Sequence, residues 1–269
     1  MAAESDALNL RAIGRASLSL LAGWNVFPPI LEPEHRLVGA FIRPGDTVID
    51  IGANVGVYTL QLARAVGPSG QVLAFEPQPS LASIIRKLAK ISGVTNVTVL
   101  EAALSSSVAP RFLSAPKRAL GGRLDAMVHL TDQTEAGSTR VTTTTLDEAV
   151  KSLGITATTF VKCDVEGAEW DVLSGGRTLL SKSHPAILCE IEGRWCKRFG
   201  VEETQAVSLI SELIGGRALV YEGSRLIDRH RSRAAHSNTI FIPRDYDRPL
   251  PMLTSVTSPS QEYELHYDR

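Results

Sequence analysis

The stretch DTVIDIGANVGVYTL, residues 46–60, constrains the fold more than any other part of the chain. TVIDIG (47–52) reads as a buried strand, and the helical pattern of 54–66 begins almost at once, so the chain reverses within a few residues. Gly52 and Gly56 lack a Cβ, which permits a sharp turn and lets a ligand come close to the backbone. The start of the helix presents N–H groups with no intrahelical partner, and these suit a carboxylate or another anion. Asp50, near the strand end, is placed to accept from an ammonium group.

The same rhythm continues. QVLAFEP (71–77), NVTVLEAAL (96–104), TTFVKCDVEG (158–167) and AILCEIEG (186–193) read as strands, and RALVYEG with NTIFIP as a closing pair. Leu81, Ile84, Ile85, Leu88 and Ile91 form one helical stripe, Trp170, Val172 and Leu173 lie on another helix, and 202–215 is the next. Strands alternating with helices imply βαβ units with right-handed crossovers and a mostly parallel sheet, an α/β fold. Residues 105–140, rich in Ser, Thr, Ala and Gly, break the rhythm and predict an insertion of short strands and loop before the Thr-rich strand RVTTTTL. The expected organisation is one domain over 1–269: a helical extension at 1–33 carrying Leu8, Ile13, Leu20 and Leu21, a core at about 34–243, and a proline-bearing tail at 244–269.

A net charge of −1 provides no global attraction to nucleic acid or anionic membrane. The chain has no apolar run of about 18 residues, so no membrane span is expected, and Glu4 and Asp6 precede its first apolar patch, unlike a secretory signal. Cys163, Cys189 and Cys196 show no ligand spacing and read as reduced thiols of a cytoplasmic protein.

Spacing decides between cofactors. The glycine loop is G-A-N-V-G, with Asn54 where a dinucleotide fingerprint would turn a glycine toward pyrophosphate, and no GK[ST] follows. Glu76 closes the second strand 26 positions after Asp50, where a carboxylate can bind both hydroxyls of a ribose. Glu101, at the end of the third strand, is a weaker candidate near a purine.

A second acidic cluster lies in FVKCDVEGAEW (160–170), where Lys162, Asp164 and Glu166 alternate on one strand face. A central parallel strand should be almost wholly apolar, and an unpaired buried charge costs about several kcal/mol, so these groups need partners or a cleft. Glu190 and Glu192 share a face of the fifth strand. An ion pair from Lys162 to Glu190 is one account of them, whereas Asp164, nearer the strand end, reads as functional.

D-x-G-x-N-x-G resembles the first motif of S-adenosylmethionine-dependent methyltransferases. Together with VLAFEPQPS, TTTTLDEAV, FVKCDVEGAEWDVLSGG, ILCEIEG and SNTIFIP, it makes the chain resemble the FkbM-type methyltransferase family over roughly 37 to 243. The resemblance implies a Rossmann-like class I methyltransferase fold: a seven-stranded, mostly parallel sheet with its last strand antiparallel and helices on both faces. It implies methyl transfer from S-adenosyl-L-methionine to oxygen, commonly a hydroxyl of a sugar, glycan, glycolipid or natural-product scaffold. Asp50, Gly52, Asn54, Gly56 and Glu76 would then hold the cofactor, with Asp164 near its methionine end. Cys163 departs from the family, which often has a β-branched residue there.

An alcohol is a poor nucleophile until it loses its proton, so a base is wanted. Asp164 is the first choice for base or acceptor anchor, followed by Glu190 and Glu192. Glu166 and Glu169 suit the turn and the next helix start, and His184, at the far end of strand five, reads as structural. Asp164 with Glu190 and Glu192 could also hold a divalent metal, but Ile191 separates the two glutamates and no metal is expected to be essential. The acceptor is expected to be a small molecule or saccharide rather than nucleic acid, because the chain lacks N-P-P-[YF] and a Pro-Cys nucleophile. The basic run RLIDRHRSRAAH (225–236) reads as a solvated hairpin. A homo-oligomer is compatible with the sequence. The rivals are a non-catalytic S-adenosylmethionine-binding protein, a metal-assisted sugar O-methyltransferase and, further off, a dehydrogenase.

Overall fold

A computed structural model describes residues 37–114, 129–134, 137–222, 225–232, 238–246, 253–255 and 263–265. The expected N-terminal helix, the middle of the insertion and most of the tail lie outside the described residues. The chain divides into two compact units, 1–101 and 102–269.

The first unit begins with the short helix α1 (Val38–Phe41) and continues through β1 (Thr47–Ile51), α2 (Val57–Val66), β2 (Gln71–Phe75), α3 (Pro79–Ile91) and β3 (Val97–Leu100). β1 and β2 run parallel from Thr47↔Gln71 to Ile51↔Phe75, and β2 and β3 from Val72↔Val97 to Phe75↔Leu100. Val48, Ile49 and Ile51 are buried, as a parallel strand covered on both faces requires. α3 starts on Pro79, whose missing N–H has no helical partner to lose there. It buries Leu81, Ala82, Ile85, Leu88 and Ala89 along one stripe, each large side chain contributing about 1.5–3 kcal/mol. Ile85 packs with Ala53 and Ala74, which fixes α3 beside the turn after β1. Asn96 Nδ2 donates to the carbonyls of Ala63 and Gly67 at 2.9 and 2.7 Å, closing the end of α2.

The second unit holds two sheets. One is four-stranded, in the order β4 (Ala103–Leu104), β7 (Thr139–Thr144), β5 (Pro110–Ser114), β6 (His129–Thr131): it joins described parts of the expected insertion and its Thr-rich strand to β4, which the sequence pattern continues from the third strand but which pairs with β7 instead. In the other, β8 (Phe160–Cys163) runs parallel to β9 (Ala186–Glu190), and β9 pairs antiparallel with β12 (Asn238–Pro243). β12 in turn pairs antiparallel with β10 (Gly216–Glu222). Within the first unit β1, β2 and β3 run parallel, and within the second β8, β9 and β10 share one direction with β12 antiparallel to its neighbours β9 and β10. β11 (Arg225–Asp228), β14 (Tyr263–Leu265) and β13 (Leu253–Ser255) continue the edge beyond β10. This is the Rossmann-like class I methyltransferase fold.

The helices of this unit are α4 (Leu146–Ser152), α5 (Glu169–Ser174), α6 (Arg177–Ser183), α7 (Gly193–Cys196) and α8 (Glu203–Leu213). α5 and α6 are separated by Gly175–Gly176, where a Cβ on Gly175 would stand 2.2 Å from the Ser105 carbonyl oxygen. His184 ends α6 in a left-handed conformation with Nδ1 3.1 Å from Asp245 Oδ2. All three cysteines are free and buried, and burial pushes their thiol pKa values up. Among the described residues no helix is long and apolar enough to cross a membrane.

Candidate active site

The first unit builds a turn that alternates in hand. Gly52, Asn54 and Gly56 take φ values of +76°, +52° and +84°, and the residue between each pair brings the chain back. The N–H groups of Gly52 and Ala53 both donate to the Phe75 carbonyl at 3.0 Å, so the turn leans on the end of β2. At Gly56 a side chain would be strained by the positive φ, and its Cβ would lie 3.0 Å from Ile85 Cγ1. Asp50 is fully buried and its Oδ2 accepts from Thr59 Oγ1 at 2.6 Å. The aspartate therefore ties β1 to the first turns of α2 and holds the loop between them.

Glu76 follows β2 and reaches back to that loop. Its Oε2 accepts from the Asn54 N–H and its Oε1 from the Gln78 N–H, both at 2.9 Å. Burial pushes its carboxyl up to about 7, even though both main-chain hydrogen bonds favour the ionised form. The chain thus keeps an almost fully buried carboxylate between two loops. Glu101 sits apart from it: its carboxylate pairs with Arg86, whose other nitrogen donates to the Val99 carbonyl at 3.0 Å.

The second unit builds an acidic site on the ends of β8 and β9. The alternating strand face predicted for 158–167 stops at Cys163, because Glu169 intervenes. Glu169 Oε1 accepts from the N–H groups of Val165 and Gly167 at 2.9 and 3.0 Å, and so takes donors that a longer strand would need. Its carboxyl is pushed up to about 7 by burial, against those hydrogen bonds. Glu166 turns left-handed at φ +57°, and Gly167 follows at φ +104° with no room for a Cβ, which would stand 2.7 Å from Trp195. Trp195 carries Arg194 5.0 Å from its ring centroid and lies 6.4 Å from the His129 ring of the insertion sheet.

Asp164 Oδ2 lies 2.8 Å from Lys162 Nζ, and the lysine is nearly buried. Strand register sets Lys162 opposite Leu188, with Glu190 two residues further along β9. Burial alone would raise the Asp164 pKa, but the Lys162 charge and hydrogen bonds from Lys162 and Glu190 outweigh it and hold the group below its usual range. Glu190 moves the opposite way. Burial, the Asp164 charge and their shared hydrogen bond push it up to about 9. The opposed shifts favour the ionised form at Asp164 and retention of the proton at Glu190.

Carboxylate oxygens of Asp164, Glu166 and Glu190 lie within 4.8 Å of one another, so Glu166 takes the place of Glu192 in the set of three expected from sequence. Glu192 instead stands at the N-cap position before α7 and pairs with Arg194. No local sequence signal separates these two outcomes. Glu166 enters through the left-handed turn before Gly167, and Glu192 leaves because the strand ends at Glu190.

A family model described as the methyltransferase FkbM domain matches residues 50–222, more than half of the chain. A protein-L-isoaspartate O-methyltransferase of Ignicoccus hospitalis is 38% identical over 83 residues, 31% of this chain and 39% of that protein. A second protein-L-isoaspartate O-methyltransferase, from Archaeoglobus fulgidus, is 37% identical over 59 residues, 22% of this chain and 27% of its own. The chain thus spans well under half the length of these relatives. Among solved structures, an FkbM methyltransferase of Methylobacillus flagellatus overlays with a TM-score of 0.48 at 14% identity, covering 74% of this chain and 43% of that one. An S-adenosylmethionine-dependent O-methyltransferase of Thermotoga maritima overlays at 0.44 and 15% identity, covering 90% and 69%. The chain belongs to the FkbM family of S-adenosylmethionine-dependent methyltransferases.

Proposed function

We propose that the chain transfers a methyl group from S-adenosyl-L-methionine to a hydroxyl oxygen of a sugar, glycan, glycolipid or natural-product small molecule. One observation carries the choice of oxygen: Asp164 lies 2.8 Å from the nearly buried Lys162 ammonium, with Glu190 close on its other side, an arrangement that favours its ionised form.

The residues of the first unit fit the cofactor. The turn through Gly52, Asn54 and Gly56 places two residues without side chains beside Glu76, and the Glu76 carboxylate can exchange its amide donors for the two hydroxyls of a ribose. When bound, S-adenosylmethionine supplies a methyl group already activated by a positive sulfur. The protein's remaining tasks are to align the acceptor oxygen and to receive its proton.

An alcohol becomes a strong acid as its oxygen acquires a methyl group, so a carboxylate of low pKa is basic enough to take that proton. Asp164 meets this need because it stays ionised across the physiological range. Glu190 keeps its own proton and orients Asp164 from one side, as Lys162 does from the other. Lys162 and that proton also supply the positive partners that the carboxylate needs, and the reading requires no metal.

The test incubates the purified chain with methyl-labelled S-adenosylmethionine and a small-molecule extract of the source cells. The expected result is label in a product that survives mild alkali, as a methyl ether does and a methyl ester does not, with a rate unchanged by EDTA. Label released entirely by alkali would reject hydroxyl transfer. Activity abolished by chelation and restored by magnesium would reject the metal-free mechanism.

A further inference from the structure

The basic run at 225–236 is not solvated throughout. His230 and Arg231 are exposed, but the Arg229 side chain is only 10% exposed. One guanidinium nitrogen, Nη2, donates to Glu203 Oε1 at 2.6 Å and to the Ile191 carbonyl at 3.3 Å. The other, Nη1, donates to Thr239 Oγ1 on β12. Glu203, in the first turn of α8, uses its second oxygen to accept from the Gly193 N–H at 3.1 Å. A Cβ at residue 193 would stand 2.9 Å from that oxygen, so a side chain there would require the carboxylate to shift.

Ile191 and Gly193 flank Glu192 and directly follow Glu190. We propose that Arg229 and Glu203 are positioning residues for methyl transfer, a brace that grips the main chain of 191 and 193 and so keeps Glu190 against Asp164. The inference rests on the methyl-transfer reading above. The Arg229 guanidinium is nearly buried while the Glu203 side chain is 43% exposed, and a pair partly screened in this way contributes little net stability. What the pair supplies is direction: a planar fork spans α8, β12 and a backbone carbonyl at once, which the single ammonium of lysine cannot do.

The test compares the chain with its Arg229→Lys, Glu203→Gln and Glu203→Ala variants. Three quantities are measured: amide hydrogen exchange at Gly193 against Ile187 and Leu188 of β9, affinity for S-adenosylhomocysteine, and the rate of label transfer into the extract described above. Arg229→Lys is expected to speed exchange at Gly193 and slow transfer, each by about tenfold or more. The β9 amides and the affinity should stay within about twofold. Glu203→Gln keeps an acceptor for the Gly193 N–H and should recover part of the protection that Glu203→Ala loses. Unchanged exchange at Gly193 would overturn the brace. So would equal losses at Gly193, at β9 and in affinity, which mark a purely structural role. If the wild-type chain neither binds S-adenosylhomocysteine nor transfers label, the methyl-transfer reading fails, and the exchange measurements still judge the brace.

Discussion

Asp164→Asn is expected to lower methyl transfer by about 10²–10⁴-fold, the range that a positioned base contributes, while affinity for S-adenosylhomocysteine stays within a few-fold. Asparagine preserves the shape of the side chain and offers Lys162 a carbonyl oxygen, but it cannot take up a proton. The substitution also leaves the Lys162 ammonium, nearly buried and 2.8 Å from the lost carboxylate, facing a neutral group. Some loss of stability is therefore expected, and rates should be referred to the folded fraction measured by thermal melting. Retention of wild-type turnover in folded Asp164→Asn would remove Asp164 from the chemistry.

Glu190→Gln is expected to make the protein more resistant to unfolding at alkaline pH. In the unfolded chain this carboxyl titrates at its ordinary value near 4.5, and in the folded chain at about 9. The folded state therefore holds the proton more tightly. The stability this confers is complete below the ordinary value and is lost as pH rises toward 9. Glutamine does not titrate, and its amide N–H donates to Asp164 as the protonated carboxyl does. The two proteins should melt together near pH 5, and the variant should gain a margin of about 1–3 kcal/mol by pH 8.5, a figure discounted for the partial exposure of Glu190. Glu76 and Glu169, both raised to about 7, weaken the fold in the same direction, but they are common to both proteins and cancel in the comparison. A margin that does not change with pH would mean that Glu190 is ionised in the folded state.

The layout of the fold is written locally. The strand NTIFIP appears as β12 with its sequence bounds unchanged, because its six residues are all buried. The glycine loop and Glu76 stand where spacing put them, since a two-glycine turn on a buried strand leaves few alternatives. Side-chain pairing was less legible. The end of β8 depends on a carboxylate six residues past Cys163 that captures two amides, an arrangement no strand pattern encodes. Asp50 lies buried with one oxygen on the Thr59 hydroxyl, nine residues along the chain, a partner that the strand pattern does not single out. Arg229 looks in sequence like one more charge in a basic run. Its burial follows from Glu203 and Thr239, which only the folded sheet and α8 bring to it.

Methyl transfer by this chain, as proposed, requires the first unit to grip a ribose through Glu76 and the turn after β1. Isothermal calorimetry of the purified chain with S-adenosylhomocysteine addresses this without knowledge of the acceptor. The predicted result is one binding event per chain, weakened by about tenfold or more in Glu76→Ala as two charge-assisted hydrogen bonds are lost. No heat of association with either S-adenosylhomocysteine or S-adenosylmethionine, or equal affinity in wild type and Glu76→Ala, would contradict it.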